Sequence, residues 1–155
     1  MQPPNDMSKP TEREMVAFRV SGQDYCVDIM SVREIRGWSL ATSLPHSPDY
    51  VRGVINLRGS VVPIVDLAAR LGLGPITPTE RDVIIIAIIN RQVVGLLVEA
   101  VFDILSVGTD AIQETPDVAS DVVKSFIEGV VTVDDKMLRL VDLERILPAN
   151  VAEVA

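Results

Sequence analysis

The chain has 155 residues, 48% of them apolar and 23% charged, with a formal net charge of −8. That length suits one compact domain or two very small ones, and that composition suits a folded soluble protein. Eleven arginines and three lysines against 22 carboxylates argue against nonspecific binding to nucleic acid or to an anionic membrane surface, although the arginines can still gather into a local basic patch. Cys26 is the only cysteine, so no internal disulfide forms and a reducing compartment is expected. The N-terminal stretch is polar, holds three prolines and lacks an apolar signal core, and the longest unbroken apolar run is residues 83–89. A helix across a bilayer needs roughly 20 apolar residues. The expected location is therefore the cytoplasm, with no membrane insertion.

Residues 1–14 read as a disordered tail and 149–155 as a fraying end, which leaves 15–148 as the folded region. The pattern between them is mainly β, with short apolar runs alternating with turn signals. Residues 15–20 and 25–29 predict a hairpin around Ser21-Gly22-Gln23-Asp24. Ser47-Pro48 reads as a helix N-cap followed by proline at the first helical position, with Gly53 ending that short helix. Residues 54–57 and 61–65 flank Arg58-Gly59-Ser60, and Gly53 and Gly59 are expected to serve as structural positions of positive φ, at a helix end and a turn. Pro63 lacks a donor and belongs at an edge or a bulge. Asp66 caps a helix over 67–71 that Gly72 stops. Residues 72–78, rich in glycine and proline, link two halves, roughly 15–72 and 82–148. Residues 83–89 and 93–98 flank Asn90-Arg91-Gln92, residues 130–133 and 137–141 flank Asp134-Asp135-Lys136, and Asp142 caps a last helix over 143–147 before Pro148. Four hairpins at this spacing predict small barrels or a sandwich.

The halves resemble one another. At an offset of 76, Gly53-Val54-Ile55-Asn56-Leu57 lies over Gly129-Val130-Val131-Thr132-Val133, and Ile64-Val65-Asp66-Leu67 over Leu140-Val141-Asp142-Leu143. At an offset of 75, Asp28-Ile29-Met30-Ser31-Val32 lies over Asp103-Ile104-Leu105-Ser106-Val107. An old duplication giving two similar barrels explains both.

No reaction centre emerges. His46, the only histidine, sits in a Pro-His-Ser-Pro turn with no triad or zinc partner in view. Cys26 lies in an alternating strand and reads as a buried structural thiol. Gly72-Leu73-Gly74 lacks the ending of a phosphate loop, and Asp134-Asp135 is too short for a calcium loop. No catalytic residue, metal ligand or cofactor is expected. A small β-barrel enzyme or ligand binder, the competing reading, would need a polar pocket with a perturbed titrating group.

The segment Pro48-Asp49-Tyr50-Val51-Arg52-Gly53-Val54-Ile55-Asn56-Leu57-Arg58-Gly59, continuing as Val61-Val62-Pro63-Ile64-Val65-Asp66-Leu67, resembles the signature of the CheW family. Upstream, Val32-Arg33-Glu34-Ile35 is similar to that family's Val-x-Glu-Ile turn; downstream, Val94-Gly95-Leu96-Leu97-Val98-Glu99-Ala100-Val101 is similar to one of its strands. Glu99 where aspartate is usual and Ala68-Ala69 after Asp66-Leu67 are departures of small consequence. The resemblance covers most of 16–147. It implies an all-β fold of two five-stranded SH3-like barrels with short helices, in which the first strands can be exchanged between barrels. It implies a non-enzymatic adaptor of bacterial chemotaxis signal transduction, recruited to receptor arrays at the inner membrane. Its partners would be the C-terminal regulatory domain of the histidine kinase CheA and the cytoplasmic helical tip of the chemoreceptors. The fold also forms that CheA domain and the front of CheV, whose further domains 155 residues could not hold. A groove between the barrels would take the receptor, with Val32, Val83 and Ile104 as apolar candidates and Glu34 and Arg58 as charged ones. An adaptor for another pathway built on the same fold is the nearest alternative.

Overall fold

The computed structural model describes residues 12–115 and 125–146. Ten strands are present: β1 (Glu12–Val20), β2 (Gln23–Asp28), β3 (Val32–Gly37), β4 (Val51–Leu57), β5 (Ser60–Asp66), β6 (Val83–Ile89), β7 (Gln92–Val98), β8 (Ala100–Gly108), β9 (Ile127–Val133) and β10 (Lys136–Val141). Two four-residue helices follow the second hairpin of each half, α1 (Leu67–Arg70) and α2 (Leu143–Ile146). The expected tail residues below 12 and the expected end of the last helix at Leu147-Pro148 lie outside the described residues, whereas Glu12–Glu14, assigned to the tail, pair with β8 as part of β1.

All four expected hairpins form, but with tighter turns than the three- and four-residue loops read from sequence. Each turn has two central residues of positive φ: Ser21-Gly22 (51° and 74°), Arg58-Gly59 (50° and 89°), Asn90-Arg91 (52° and 68°) and Asp134-Asp135 (51° and 66°). This is the type I′ geometry whose twist matches that of the flanking strands. Glycine, asparagine and aspartate tolerate it; an arginine there costs about 1 kcal/mol.

The strands form two five-stranded sheets, ordered β8-β1-β2-β10-β9 and β3-β6-β7-β5-β4. Each sheet draws strands from both sides of the 72–78 linker, since β1 and β2 join β8–β10 while β6 and β7 join β3–β5. Each sheet rolls up and closes in the same way. After β3 the chain crosses to the far edge, where the Thr42 N–H donates to the Val54 carbonyl (2.8 Å) and the Val54 N–H to that of Thr42 (2.9 Å). After β8 it crosses to β9, and Gln113 and Val130 exchange two such bonds, both 2.8 Å. The two sheets are thereby small barrels.

The repeat at offset 76 is realised in detail. The β4-β5-α1 unit and the β9-β10-α2 unit share their turn position, a register shift beside Gly53 and beside Gly129, and a bond from the helix-capping aspartate N–H (Asp66 to Tyr50, Asp142 to Phe126). The repeat at offset 75 is not: residues 28–32 form the 3-10 turn Ile29–Ser31 and the start of β3, while 103–107 lie within β8.

β1 is buried on both faces. Met15 and Ala17 fill the first barrel with Cys26, Val131, Leu138 and Leu140, while Val16, Phe18 and Val20 join the larger core shared with the second sheet. Arg70 adds a polar clasp between the halves: its guanidinium lies between the rings of Tyr50 (4.6 Å) and Phe126 (4.7 Å), which are repeat equivalents, and its Nε donates to the Ile146 carbonyl. Asp66 is 1% exposed and fully engaged, accepting from the N–H groups of Ala69 and Ile76 and from Arg52, whose Nη2 lies 2.9 Å away. It caps α1 and pins the linker in one group.

Several expectations are corrected. No helix follows Ser47-Pro48; the Ser47 hydroxyl donates back to the Leu44 carbonyl (2.7 Å), and the chain enters β4 at Val51. Gly53 therefore lies within a strand and not at a helix end. Val32-Arg33-Glu34-Ile35 is not a turn but most of the edge strand β3, because β6 offers it a ladder. β8 is a further strand absent from the four-hairpin reading. Of the two places expected for Pro63, the edge is not realised, since β5 has a neighbour on each side, but the register shift beside Gly53 lies one residue pair from the Val54–Pro63 pair. Pro63 is tolerated because its partner Val54 spends its own N–H and carbonyl on Thr42, and because the ladder to β7 begins one residue later, at Ile64.

Closure of the barrels depends on two glycines. A Cβ on Gly53 (φ +141°) would lie 2.6 Å from the Thr42 carbonyl carbon, and one on Gly129 would lie 2.6 Å from the Gln113 oxygen. Backbone cannot yield as a flexible side chain would. Gly53→Ala and Gly129→Ala are each expected to lose about 2 kcal/mol or more in urea unfolding. Gly37→Ala, in open space, should stay within about 0.5 kcal/mol. Wild-type stability in Gly53→Ala would show that closure does not run through this contact.

Candidate functional site

Rolling the second sheet brings its two edge strands, β3 and β4, together, and the charged candidates meet at that seam. Glu34 projects from β3, and Arg58 holds the left-handed first position of the β4–β5 turn. The Arg58 Nη2 donates to Glu34 Oε2 at 2.9 Å, and the Arg36 Nη1, two residues along the same face of β3, lies 3.4 Å from Glu34 Oε1. The turn is held separately, by the Gly59 N–H donating to Asn56 Oδ1 at 2.9 Å. Gly59 has φ +89° there.

The Arg58 hydrogen bond holds the Glu34 carboxyl below its ordinary value of 4.5, with burial opposing and the Arg58 and Arg36 charges assisting. Glu34 therefore presents a carboxylate at neutral pH. The pair is open to solvent: the Arg58 side chain is 64% exposed. Solvent screens an exposed ion pair of this kind, so it contributes little to folding. Such a pair is free to exchange partners. Beside it lies a cleft lined by Arg36, Leu40, Val54, Asn56 and Val61, in which the Arg36 Nε is buried without a hydrogen-bond partner. Arg36 escaped the sequence reading, although its spacing of two from Glu34 is the signal that places both on one strand face.

The apolar candidates do not gather. Val32 and Val83 are half-buried against the larger core, at opposite ends of the β3–β6 ladder: Val32 opposes Ala87, and Val83 opposes Gly37. Four residues of strand separate those positions, about 13 Å. Ile104 belongs to the other sheet, on the edge strand β8, and is 54% exposed.

His46 sits exposed in a turn with φ +63°. Cys26 is buried, and that burial pushes its thiol up to about 12, against a smaller opposing effect of Arg13. A thiol so poised is not a nucleophile. Among the described residues no group of three or more His, Cys, Asp or Glu side chains could hold a metal ion, and no helix is long and apolar enough to cross a membrane.

The family model of the CheW-like domain matches residues 14–151. The probable chemotaxis protein CheW of Rhizobium etli is 54% identical over 144 residues, covering 93% of each chain. The chemotaxis protein CheW of Rhizobium meliloti is 55% identical over 143 residues, 92% of each. The crystal structure of the scaffolding protein TtCheW from Thermoanaerobacter tengcongensis superposes with a TM-score of 0.81 at 32% identity, over 92% of both chains. With a match across nearly its whole length and relatives more than half identical, the chain belongs to the CheW-like domain family.

Proposed function

We propose that the chain is a non-enzymatic chemotaxis adaptor that couples chemoreceptors to the histidine kinase CheA. Relatives named chemotaxis protein CheW and a scaffolding protein of the same fold support a scaffold role. The observation that carries the finer reading is the exposed Glu34–Arg58 pair at the seam of the second barrel. An arginine held in a left-handed turn, contributing little to folding, has its use at a surface that meets a partner. In this reading the C-terminal regulatory domain of CheA docks on one barrel as like fold on like, and the helical tip of the receptor meets the apolar positions Val32 and Val83 on the second sheet and Ile104 on the first, which lie apart and do not line one groove. The chain works in the cytoplasm and reaches the inner membrane through its receptors. Single contacts of this kind are weak, and the repetition of an array strengthens them.

Tagged chain recovered from its native cell should bring CheA and receptors with it; recovery of neither would refute the assignment. Arg58→Ala and Glu34→Ala should fold within about 0.5 kcal/mol of wild type and weaken binding to receptor or CheA by about 1–2 kcal/mol. A structural role would give the opposite pattern, with stability lost and binding intact in the folded fraction. The carboxyl of Glu34 should titrate with a midpoint below 4.5 by NMR, and Arg58→Ala should move that midpoint up. A carboxyl lowered in the folded state stabilises above its unfolded value and loses that contribution as pH falls through the folded one, so the pair should be intact at neutral pH and lost only in acid. An unchanged midpoint in Arg58→Ala would show that the pair does not persist in solution.

A further inference from the structure

Two arginines beside the seam are unexplained by folding. β5 and β7 run parallel and adjacent, with Ile64 opposite Gly95, so the Arg58-Gly59 and Asn90-Arg91 turns that precede them lie at the same end of the barrel. β3 enters the sheet at that end too, with Val32 opposite Ala87 near the close of β6. Arg33, Arg58 and Arg91 thus converge on one end of the second barrel, and Arg33 and Arg58 line a single concavity with Ser60, Val62 and Val93. All three are exposed, and Glu34, already engaged by Arg58 and Arg36, is the acidic residue among them. Among the described residues neither Arg33 nor Arg91 has a carboxylate within ion-pair distance. This happens in a chain of net charge −8.

The turns do not ask for arginine. Arg58 and Arg91 both have left-handed φ, 50° and 68°, where glycine, asparagine or aspartate fits with less strain. The repeat equivalent of Arg58-Gly59 is Asp134-Asp135, the same turn with the opposite charge. Exposed Val61 and Ile88 flank the two turns, and Ile35 is exposed on β3. We infer that Arg33 and Arg91 join Arg58 in a basic docking surface for an acidic segment of a partner protein, with carboxylates interleaved with apolar side chains. The long-range field of an acidic chain disfavours a polyanion such as duplex DNA or an anionic membrane, and the apolar rim fits a protein segment. The inference rests on reading Arg58 as a partner contact, and it adds the chemistry of that partner.

The test uses the full chain and three probes: the CheA regulatory domain, the receptor hairpin, and a synthetic peptide alternating glutamate and leucine. Arg91→Gly relieves the turn, so it should melt at the wild-type temperature or above, and so should the double variant R33A/R91G. The double variant should bind one of the two proteins and the peptide about tenfold more weakly, with the difference shrinking as salt is raised. Unchanged affinities at every salt concentration would overturn the inference, as would duplex DNA or anionic vesicles displacing the peptide at equal concentration. If the peptide binds through these arginines while neither protein binds the wild type, the adaptor reading fails and the surface stands. If both proteins bind the double variant as they bind the wild type, the surface fails and the adaptor reading stands.

Discussion

The seam of the second barrel is the contact on which the other features depend. A five-stranded sheet has two unpaired edges, and here the chain leaving one edge, β3, crosses to the other, β4, and is pinned there by the paired bonds of Thr42 and Val54. The approach is possible only because Gly53 presents no side chain to the Thr42 carbonyl. Once the edges meet, Glu34 on one comes within 2.9 Å of Arg58 at the tip of the other, and a cleft opens beside them. The candidate site is a by-product of barrel closure, which also removes an edge that could otherwise template aggregation.

The same closure occurs twice, and the comparison separates what the fold requires from what it permits. Both units keep a glycine at the crossing, Gly53 and Gly129, an aspartate before the helix, Asp66 and Asp142, and an aromatic ring against Arg70, Tyr50 and Phe126. These answer to backbone contact, helix capping and the junction of the halves. The turn tips differ, Arg58-Gly59 in one and Asp134-Asp135 in the other, although their backbone angles agree. Equal geometry with opposite charge shows that the fold does not dictate which side chain those tips carry.

Much of this was legible in the chain, in proportion to how local the determining physics is. Hairpins, helix caps at Asp66 and Asp142 and the repeat at offset 76 follow from periodicity and turn chemistry within a few residues. β3 was missed because its alternation, Val32-Arg33-Glu34-Ile35, is too polar to announce a strand; it exists because β6 pairs with it across about fifty residues of chain. Gly53 after Ser47-Pro48 carried plausible helix signals, yet its neighbour in space is Thr42, a contact no spacing reveals. Glu34 and Arg58 were singled out through family resemblance; their hydrogen bond, and the presence of Arg36 beside them, needed the rolled sheet. Val32, Val83 and Ile104 lie on three separate strands, and nothing in a one-dimensional pattern gives the distances among them.

An adaptor of the kind proposed would carry a signal between two proteins without performing chemistry itself. Autophosphorylation of CheA, measured with and without receptor-bearing membranes while the chain is titrated in, tests that most directly. The account predicts a saturable change in kinase rate only when receptor, CheA and the chain are all present. A rate indifferent to the chain at every concentration in the three-component mixture, or one that the chain changes equally without receptor, would contradict it.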